Sequence, residues 1–395
     1  MKHVLYLIKK MSYDGKNPWL FDDLIDAVSS SDIRQSVFLM DFSGKFKFGL
    51  NKKEGHDVYA FPILFKSRYL KLIMIFFANF YFMFLLAFDK RFKGGIYTVS
   101  SSIASFFIFV HLFLKYIIKP IGSVMIIWDF FPIHHIQISH CPKKIEPVLK
   151  ALERVSILCY HSVGLMSPKN IDFFNSYFLT GQDVFILPVW GKKRTITYES
   201  SDFSIKLKCI FGGQITHGRG IEELINLSLE IDRTDTDVEI EVFGDGALRN
   251  YLIDKIETLG IKSLKYSGML SREEYLKRLS KADVGLIITV PNVTVPTYPS
   301  KVIDYLVASK PILAIVENTT DFGEIIEFSA KCGFYAEVND VEIAVEKLNK
   351  LHAMKKDGSI LTLKRNSMDF FSKEHDVDVV KLKILDKLGC ERKDV

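Results

Sequence analysis

Residues 291–311 read Pro-Asn-Val-Thr-Val-Pro-Thr-Tyr-Pro-Ser-Lys-Val-Ile-Asp-Tyr-Leu-Val-Ala-Ser-Lys-Pro. An apolar strand is expected just before them, at 284–289, and a helix from the Ser300-Lys301 pair onward. Open amides at a helix start, and the positive end of its dipole, favour an anion. Lys301 adds a cation there. Asp304, three residues further in, is spaced to accept hydrogen bonds from ribose hydroxyls beside that anion. The set suits a nucleoside diphosphate.

Three neighbouring strand ends carry related turns. A strand expected at 205–212 runs into Gly212-Gly213-Gln214-Ile215-Thr216-His217-Gly218-Arg219-Gly220. Glycine allows close backbone approach, and Arg219 at the following helix start can grip phosphate oxygens with two N–H groups. Gly244-Asp245-Gly246 closes the next strand, and Gly268-Met269-Leu270-Ser271 the one after. Ser271 and Glu274 form a capping box, while the Met269–Leu270 backbone is free to meet a base edge. Taken singly, each turn reads equally well as ordinary turn chemistry. Their coincidence at one sheet edge is the specific signal. The strict G-x-G-x-x-G dinucleotide fingerprint is absent.

The first half offers Asp129-Phe130-Phe131-Pro132-Ile133-His134-His135 directly after a strand at 124–128. Asp129 and His134 are candidates for a polar role, against the plainer reading of a turn or helix cap. The two histidines lack a third ligand at useful spacing, so no metal is expected. Gly15, after the first strand, suits close approach of a ligand or a simple turn. The Asp235-x-Asp237 and Asp376-x-Asp378 pairs read as solvated surface.

These residues need a scaffold of alternating strands and helices. In the second half strands are expected at 205–212, 237–243, 263–267, 283–289 and 311–316, with helices near 220–231, 247–259, 272–281 and 299–309. The first half reads as strand 3–8, helix 19–29, strand 35–40, an apolar helix, strand 96–100, a helix at 103–118, strand 124–128, a helix near 145–153, and strands near 156–160 and 184–187. Residues 364–388 read as a terminal helix. Such alternation implies α/β architecture with parallel sheets covered on both faces. With 395 residues, two domains are expected. They are assigned as 1–195, 196–363, and a terminal helix at 364–395 returning to the first.

Charge divides the chain. Residues 1–198 carry 25 Lys/Arg against 14 Asp/Glu, and 199–395 carry 27 against 33. A basic first half points to an anionic partner, and no nucleic-acid motif accompanies it. Leu70 to Phe88 is almost continuous hydrophobe between Lys66, Arg68, Lys71 and Lys90, Arg91, Lys93. Three readings stand: a spanning helix, a buried domain helix, and a helix lying in the membrane interface on anionic headgroups. Strands on both sides of the segment favour the third, because both must reach one sheet. The 103–118 helix is a secondary candidate for the same contact. Five scattered cysteines without C-x-x-C argue for a reducing compartment, and the short apolar run in residues 1–10 is not a signal peptide. The expected place is cytoplasmic, peripheral and monotopic on the inner face of the membrane.

The glycine turn at 212–220, Phe-Gly-Asp-Gly at 243–246, Tyr-Ser-Gly-Met-Leu at 266–270 and Pro-Ser-Lys-Val-Ile-Asp-Tyr-Leu at 299–306 together resemble the retaining glycosyltransferases of family 4, bacterial surface-polysaccharide type. Asp129–His135 and residues 164–170 resemble the group more loosely. The resemblance implies a GT-B fold, two doubly wound Rossmann-like domains facing across a cleft. It implies metal-independent transfer from a nucleotide diphosphate-sugar to a polyprenyl-diphosphate-linked saccharide in O-antigen or capsule synthesis, with no cofactor beyond the donor.

By the same resemblance Arg219 and Lys301 hold the donor diphosphate with the Ser300 backbone, and Gly213 and Gly244 line it. Asp304 takes the ribose position, Met269 and Leu270 border the base, and Asp129 or His134 faces the acceptor or transferred sugar. The first of the family's paired glutamates is Pro296 here, which passes sugar contacts to Thr294, Thr297 or backbone. Two alternatives remain at this level: a catalytically degenerate sugar-nucleotide-binding module, and an epimerase of the same fold.

Overall fold

The computed structural model describes residues 2–15, 18–30, 32–53, 55–101, 103–138, 141–194 and 206–390. It divides into two compact units, Met1–Lys192 with Val377–Val395, and Lys193–Asp376. The expected boundary at 195/196, and residues 195–204 of the polar linker, lie outside the described residues.

Unit 1 is built on an eight-stranded sheet. Its strands are β1 Lys2–Ile8, β2 Ile33–Asp41, β3 Gly49–Lys53, β4 His56–Pro62, β5 Ile96–Ser101, β6 Gly122–Ile127, β7 Ser162–Leu165 and β8 Asp183–Ile186. Their order is β3-β4-β2-β1-β5-β6-β7-β8, parallel throughout except the β3–β4 pair. The helices are α1 Leu20–Val28, α2 Arg68–Phe88, α3 Ile108–Phe113, α4 Ile133–Gln137, α5 Glu146–Ile157 and α6 Pro168–Phe178. The central strands β1, β5 and β6 are buried almost throughout, with Val, Ile, Leu, Met and Tyr joined by small polar residues such as Thr98, Ser100 and Ser123, as a sheet covered on both faces requires.

Unit 2 carries β9 Leu207–Gly212, β10 Val238–Phe243, β11 Leu264–Tyr266, β12 Val284–Ile288, β13 Ile312–Val316 and β14 Gly333–Glu337. The order β11-β10-β9-β12-β13-β14 is that of a doubly wound sheet whose direction reverses between β9 and β12. Its helices are α7 Ile221–Arg233, α8 Arg249–Thr258, α9 Arg272–Lys281, α10 Val302–Val307, α11 Phe322–Glu324, α12 Val341–Asp357 and α13 Ile360–Phe370. The chain then re-enters unit 1 as α14, Val377–Lys387, whose Val377, Val380 and Ile384 join Leu388 in the core under β1 and β6.

Four expectations need correction. The hairpin β3–β4 was not foreseen, because an edge strand of alternating exposure containing Asn51, Lys52 and Lys53 carries no hydrophobic run. The strand expected at 156–160 is instead the end of α5 and its turn, with the Leu158 and Tyr160 amides donating to Arg154 and Ile157; the strand follows at β7. The helix expected at 364–388 is interrupted at Asp376, which is extended, and the next amide, Val377, donates to the Gly191 carbonyl. The 299–309 helix is shorter than expected, reduced to the six residues of α10.

Helix α2 explains the apolar segment. Ala78, Phe82 and Leu86 form a buried stripe on the sheet, with the Phe82 ring stacked 4.7 Å from Phe38. Asn79 is buried beside them. Its amide donates to the Ile75 and Phe106 carbonyls at 2.8 Å, and its oxygen accepts from the Val110 amide. Both its N–H groups and its oxygen are engaged, so the buried polar group costs little. Glu153 accepts from the Ala104 and Ser105 amides at 2.8 and 2.9 Å and so fixes the start of the 104–118 helical run against α5. Only 22% of the most apolar window of α2 is buried, which excludes the wholly buried reading. The two strands that flank α2 in sequence, β4 and β5, belong to one sheet.

Replacing Phe82 by Ala is expected to lower stability by about 3–5 kcal/mol through an unfilled cavity. Asn79→Leu should cost about 1–3 kcal/mol by orphaning the Val110 amide and Phe106 carbonyl. Urea unfolding followed by circular dichroism reads both.

Candidate nucleotide-sugar site

The loops after β9, β10 and β11 are laced together through backbone. The Gly213 amide donates to the Phe243 carbonyl at 2.9 Å, Gly244 to Gly268 at 3.0 Å, and Ile215 to Asp245 at 3.0 Å. Gly244 sits at φ +140°, where a Cβ would overlap the Gly213 carbonyl oxygen. The glycines are therefore needed for backbone-on-backbone contact between neighbouring loops. Below them, the Tyr305 hydroxyl donates to the Leu286 carbonyl at 3.0 Å, and the Tyr275 ring fills the space a side chain at Gly212 would take.

Lys301 reaches into this floor from the loop after β12. Its Nζ lies 3.9 Å from the centroid of the Phe211 ring, and a Cβ on Gly213 would stand 2.9 Å from that nitrogen. Burial, and then the nearby Arg219 guanidinium, push its pKa down to about 7. Arg219 itself is exposed, at the end of the β9 loop. Thus the two loops that flank the reversal between β9 and β12 place two cations together. Among the described residues neither makes a salt bridge. Adjacent uncompensated cations at a sheet's C-terminal edge form a site for a polyanion.

The helix start contributes less than its sequence promised. The Val302, Ile303 and Asp304 amides already donate to Pro299, Ser300 and Lys301 carbonyls at 3.1 to 3.2 Å. Side-chain charge, rather than these amides, faces an anion here. Ser300 is exposed beside Lys301.

Asp304 is engaged. Arg272, the first residue of α9, grips it with both terminal nitrogens, Nη1 donating at 2.7 Å to Oδ2 and Nη2 to Oδ1. Sequence reasoning missed Arg272, since 32 residues separate the partners. Met269 is exposed and Leu270 half-buried just before α9, on the same loop.

Thr297 is likewise tied down. Its amide and hydroxyl donate to Glu317 Oε1 at 3.1 and 2.6 Å, and the Thr289 hydroxyl donates to Oε2. Glu317 follows β13 and is only 3% exposed. It holds the 289–297 loop that delivers Lys301. Nothing local to residues 291–311 signalled it. Thr294 is exposed and lines, with Glu317, Asn318 and Asn339, a cavity of about 210 Å³ at the ends of β12–β14.

In unit 1, Asp129 is exposed just after β6, and His134 is half-buried in α4, its ring 6.0 Å from that of His135. Lys9, after β1, was not anticipated. Burial pushes its pKa down to about 8, against the opposing charges of Glu153 and Asp129. Gly15 is exposed at φ +69°, its amide donating to Ser12 Oγ at 3.1 Å in a turn of its own. No His, Cys, Asp or Glu group of three or more suited to a metal occurs among the described residues.

No family model matches the sequence, and no curated protein matches it. Solved structures do match over the whole length. Sucrose-phosphate synthase from Thermosynechococcus elongatus superposes with a TM-score of 0.76 at 10% identity, covering 97% of each chain. The lipopolysaccharide outer core galactosyltransferase WaaB in its apo form gives 0.66 at 12%, covering 98% of each. Anabaena HepE in complex with UDP gives 0.65 at 14%, covering 99% of this chain and all (100%) of that one. At such identities the likeness is one of fold, and the chain has the GT-B fold, two parallel-sheet α/β domains.

An anion bound beside Lys301 restores its charged form, so binding must take up a proton above pH 7. Calorimetry with UDP and GDP in HEPES and in Tris at pH 8 is expected to show uptake approaching one proton, with affinity falling up to about tenfold per pH unit from pH 7 to 9. Lys301→Met should abolish the uptake.

Proposed function

We propose that this chain is a glycosyltransferase that moves a sugar from a nucleotide diphosphate-sugar to a lipid-linked saccharide, of the polyprenyl-diphosphate type used for bacterial surface polysaccharides. The observation that carries the reading is the convergence of Lys301 and Arg219, neither in a salt bridge among the described residues, at the strand reversal of unit 2. The leaving group of such a transfer is a nucleoside diphosphate. Its developing charge is what the buried Lys301 ammonium and the neighbouring, exposed Arg219 guanidinium stabilise. UDP in the HepE structure is consistent with the same ligand class.

In the reaction, the Lys301 ammonium and Arg219 guanidinium hold the diphosphate and neutralise it as the glycosidic bond breaks. Glu317 holds Thr297 and thereby the loop that aims Lys301. Asp304, paired with Arg272, offers its remaining lone pairs to the ribose. Asp129 and His134 belong to the acceptor side. Retention of configuration and independence of metal accompany this reading, since the cations replace the metal's role at the diphosphate. The enzyme works at the inner face of the membrane, held peripherally by the exposed face of α2 and its basic flanks.

A second reading is favoured by two observations. Position 296 is proline and Asp304 is clamped, as in a sugar-nucleotide-binding module that has lost turnover.

With UDP- and GDP-sugars screened against vesicle-borne acceptors, Arg219→Ala and Lys301→Ala are each expected to lower kcat/KM by about 10²- to 10³-fold. Vesicle co-sedimentation should stay unchanged. Wild-type rates in both variants would refute the site, and nucleotide-sugar binding without any transfer would select the second reading.

A further inference from the structure

Beyond its exposed ridge, α2 borders an open groove of about 780 Å³ against the sheet edge. One wall is Met74, Phe77, Tyr81, Phe84 and Phe88, spaced at three and four residues along α2. Phe48 and Phe61, on the β3–β4 side, make the other, with the Phe48 and Tyr81 rings 4.9 Å apart. The volume falls within the roughly 300–1,000 Å³ of small-molecule sites. A soluble protein rarely leaves so continuous an apolar surface open.

We propose that this groove takes one hydrocarbon chain of an anionic membrane lipid, drawn beside α2 while the helix lies in the interface. The proposal rests on the membrane attachment proposed above. Two features select this occupant. Apart from the Tyr81 hydroxyl the groove lining is apolar, which suits a chain and offers little to a peptide backbone's hydrogen bonds. Both ends of α2 are basic: Lys66, Arg68 and Lys71 before it, Lys90, Arg91 and Lys93 after it. Among the described residues Asp89 and Asp57 offset Arg91, and the five other basic residues make no ion pair. A second copy of the chain laid along α2, parallel or antiparallel, would bring these clusters against each other. An anionic headgroup layer neutralises them.

The test uses the full chain and phosphatidylglycerol vesicles carrying a diazirine-tagged acyl chain. The expected result is photolabel on groove residues such as Met74, Tyr81 and Met83. Ala87→Trp, which fills the groove, should reduce that label at least tenfold while leaving vesicle co-sedimentation near wild type. Phe84→Gln, at an exposed position of the wall, should weaken the same label and provides a second variant if Ala87→Trp does not fold. Label confined to the outer residues Leu72, Ile73 and Phe76 would overturn the groove and leave membrane attachment standing. No co-sedimentation of the wild type would overturn the attachment itself. A lipid-free dimer formed by disulfide cross-linking of a Phe84→Cys variant would assign the groove to a second copy and overturn the proposal.

Discussion

A lysine held over an aromatic ring, with an arginine close enough to lower its pKa and no salt bridge to either among the described residues, sets the terms for unit 2. Burial against Phe211 disfavours the charged form of Lys301, and Arg219 disfavours it further, so an anion beside Lys301 would favour its charged form. The surrounding features serve that arrangement. Gly213 leaves room for the ammonium, and Gly244 lets the next loop close on Gly213 from the other side. Glu317 pins the loop from which Lys301 extends. The acids nearby are each committed elsewhere, Asp304 to Arg272 and Glu317 to two threonines, so none quenches the pair.

How far the sequence revealed this depends on how local each signal was. The alternation of apolar strands and amphipathic helices in residues 206–316 gave five strands near their observed places, because buried parallel strands are short, continuous hydrophobic runs. Arg219 and Lys301 were legible from their positions in strand-end loops. Arg272 and Glu317 were not, since each meets its partner only after the sheet order is set: β13 beside β12 for Glu317, α9 near α10 for Arg272. The opening turn of α10 also differed in kind, because its amides close tight i→i+3 bonds among themselves, which composition does not report. In unit 1, β3 hid behind lysines and asparagine, and the end of α5 imitated a strand through Ile157, Leu158 and Tyr160.

Helix α2 shows why length and hydropathy alone misjudge an apolar segment. Its 21 residues satisfy the requirement for crossing a bilayer. Yet one stripe is committed to the sheet through Phe82, and Asn79 hydrogen-bonds into the 104–118 run, so the helix is tethered to the domain along its side. The rest of its circumference is left to a different environment. One helix thus presents a buried face and an exposed apolar face at once, and the exposed aromatic residues Phe76, Phe77, Phe80, Phe84 and Phe88 divide along that line from the buried Ala78, Phe82 and Leu86.

Helix α14 has a temporal consequence. Val377, Val380, Ile384 and Leu388 complete the core of a unit whose other strands all precede residue 187. On the ribosome, the whole of unit 2 must emerge before those four side chains exist to fill their places. The nascent first unit therefore waits with part of its apolar interior uncovered, while unit 2, continuous in sequence, is free to close on its own. Folding order is inverted relative to synthesis: the portion begun first is finished last.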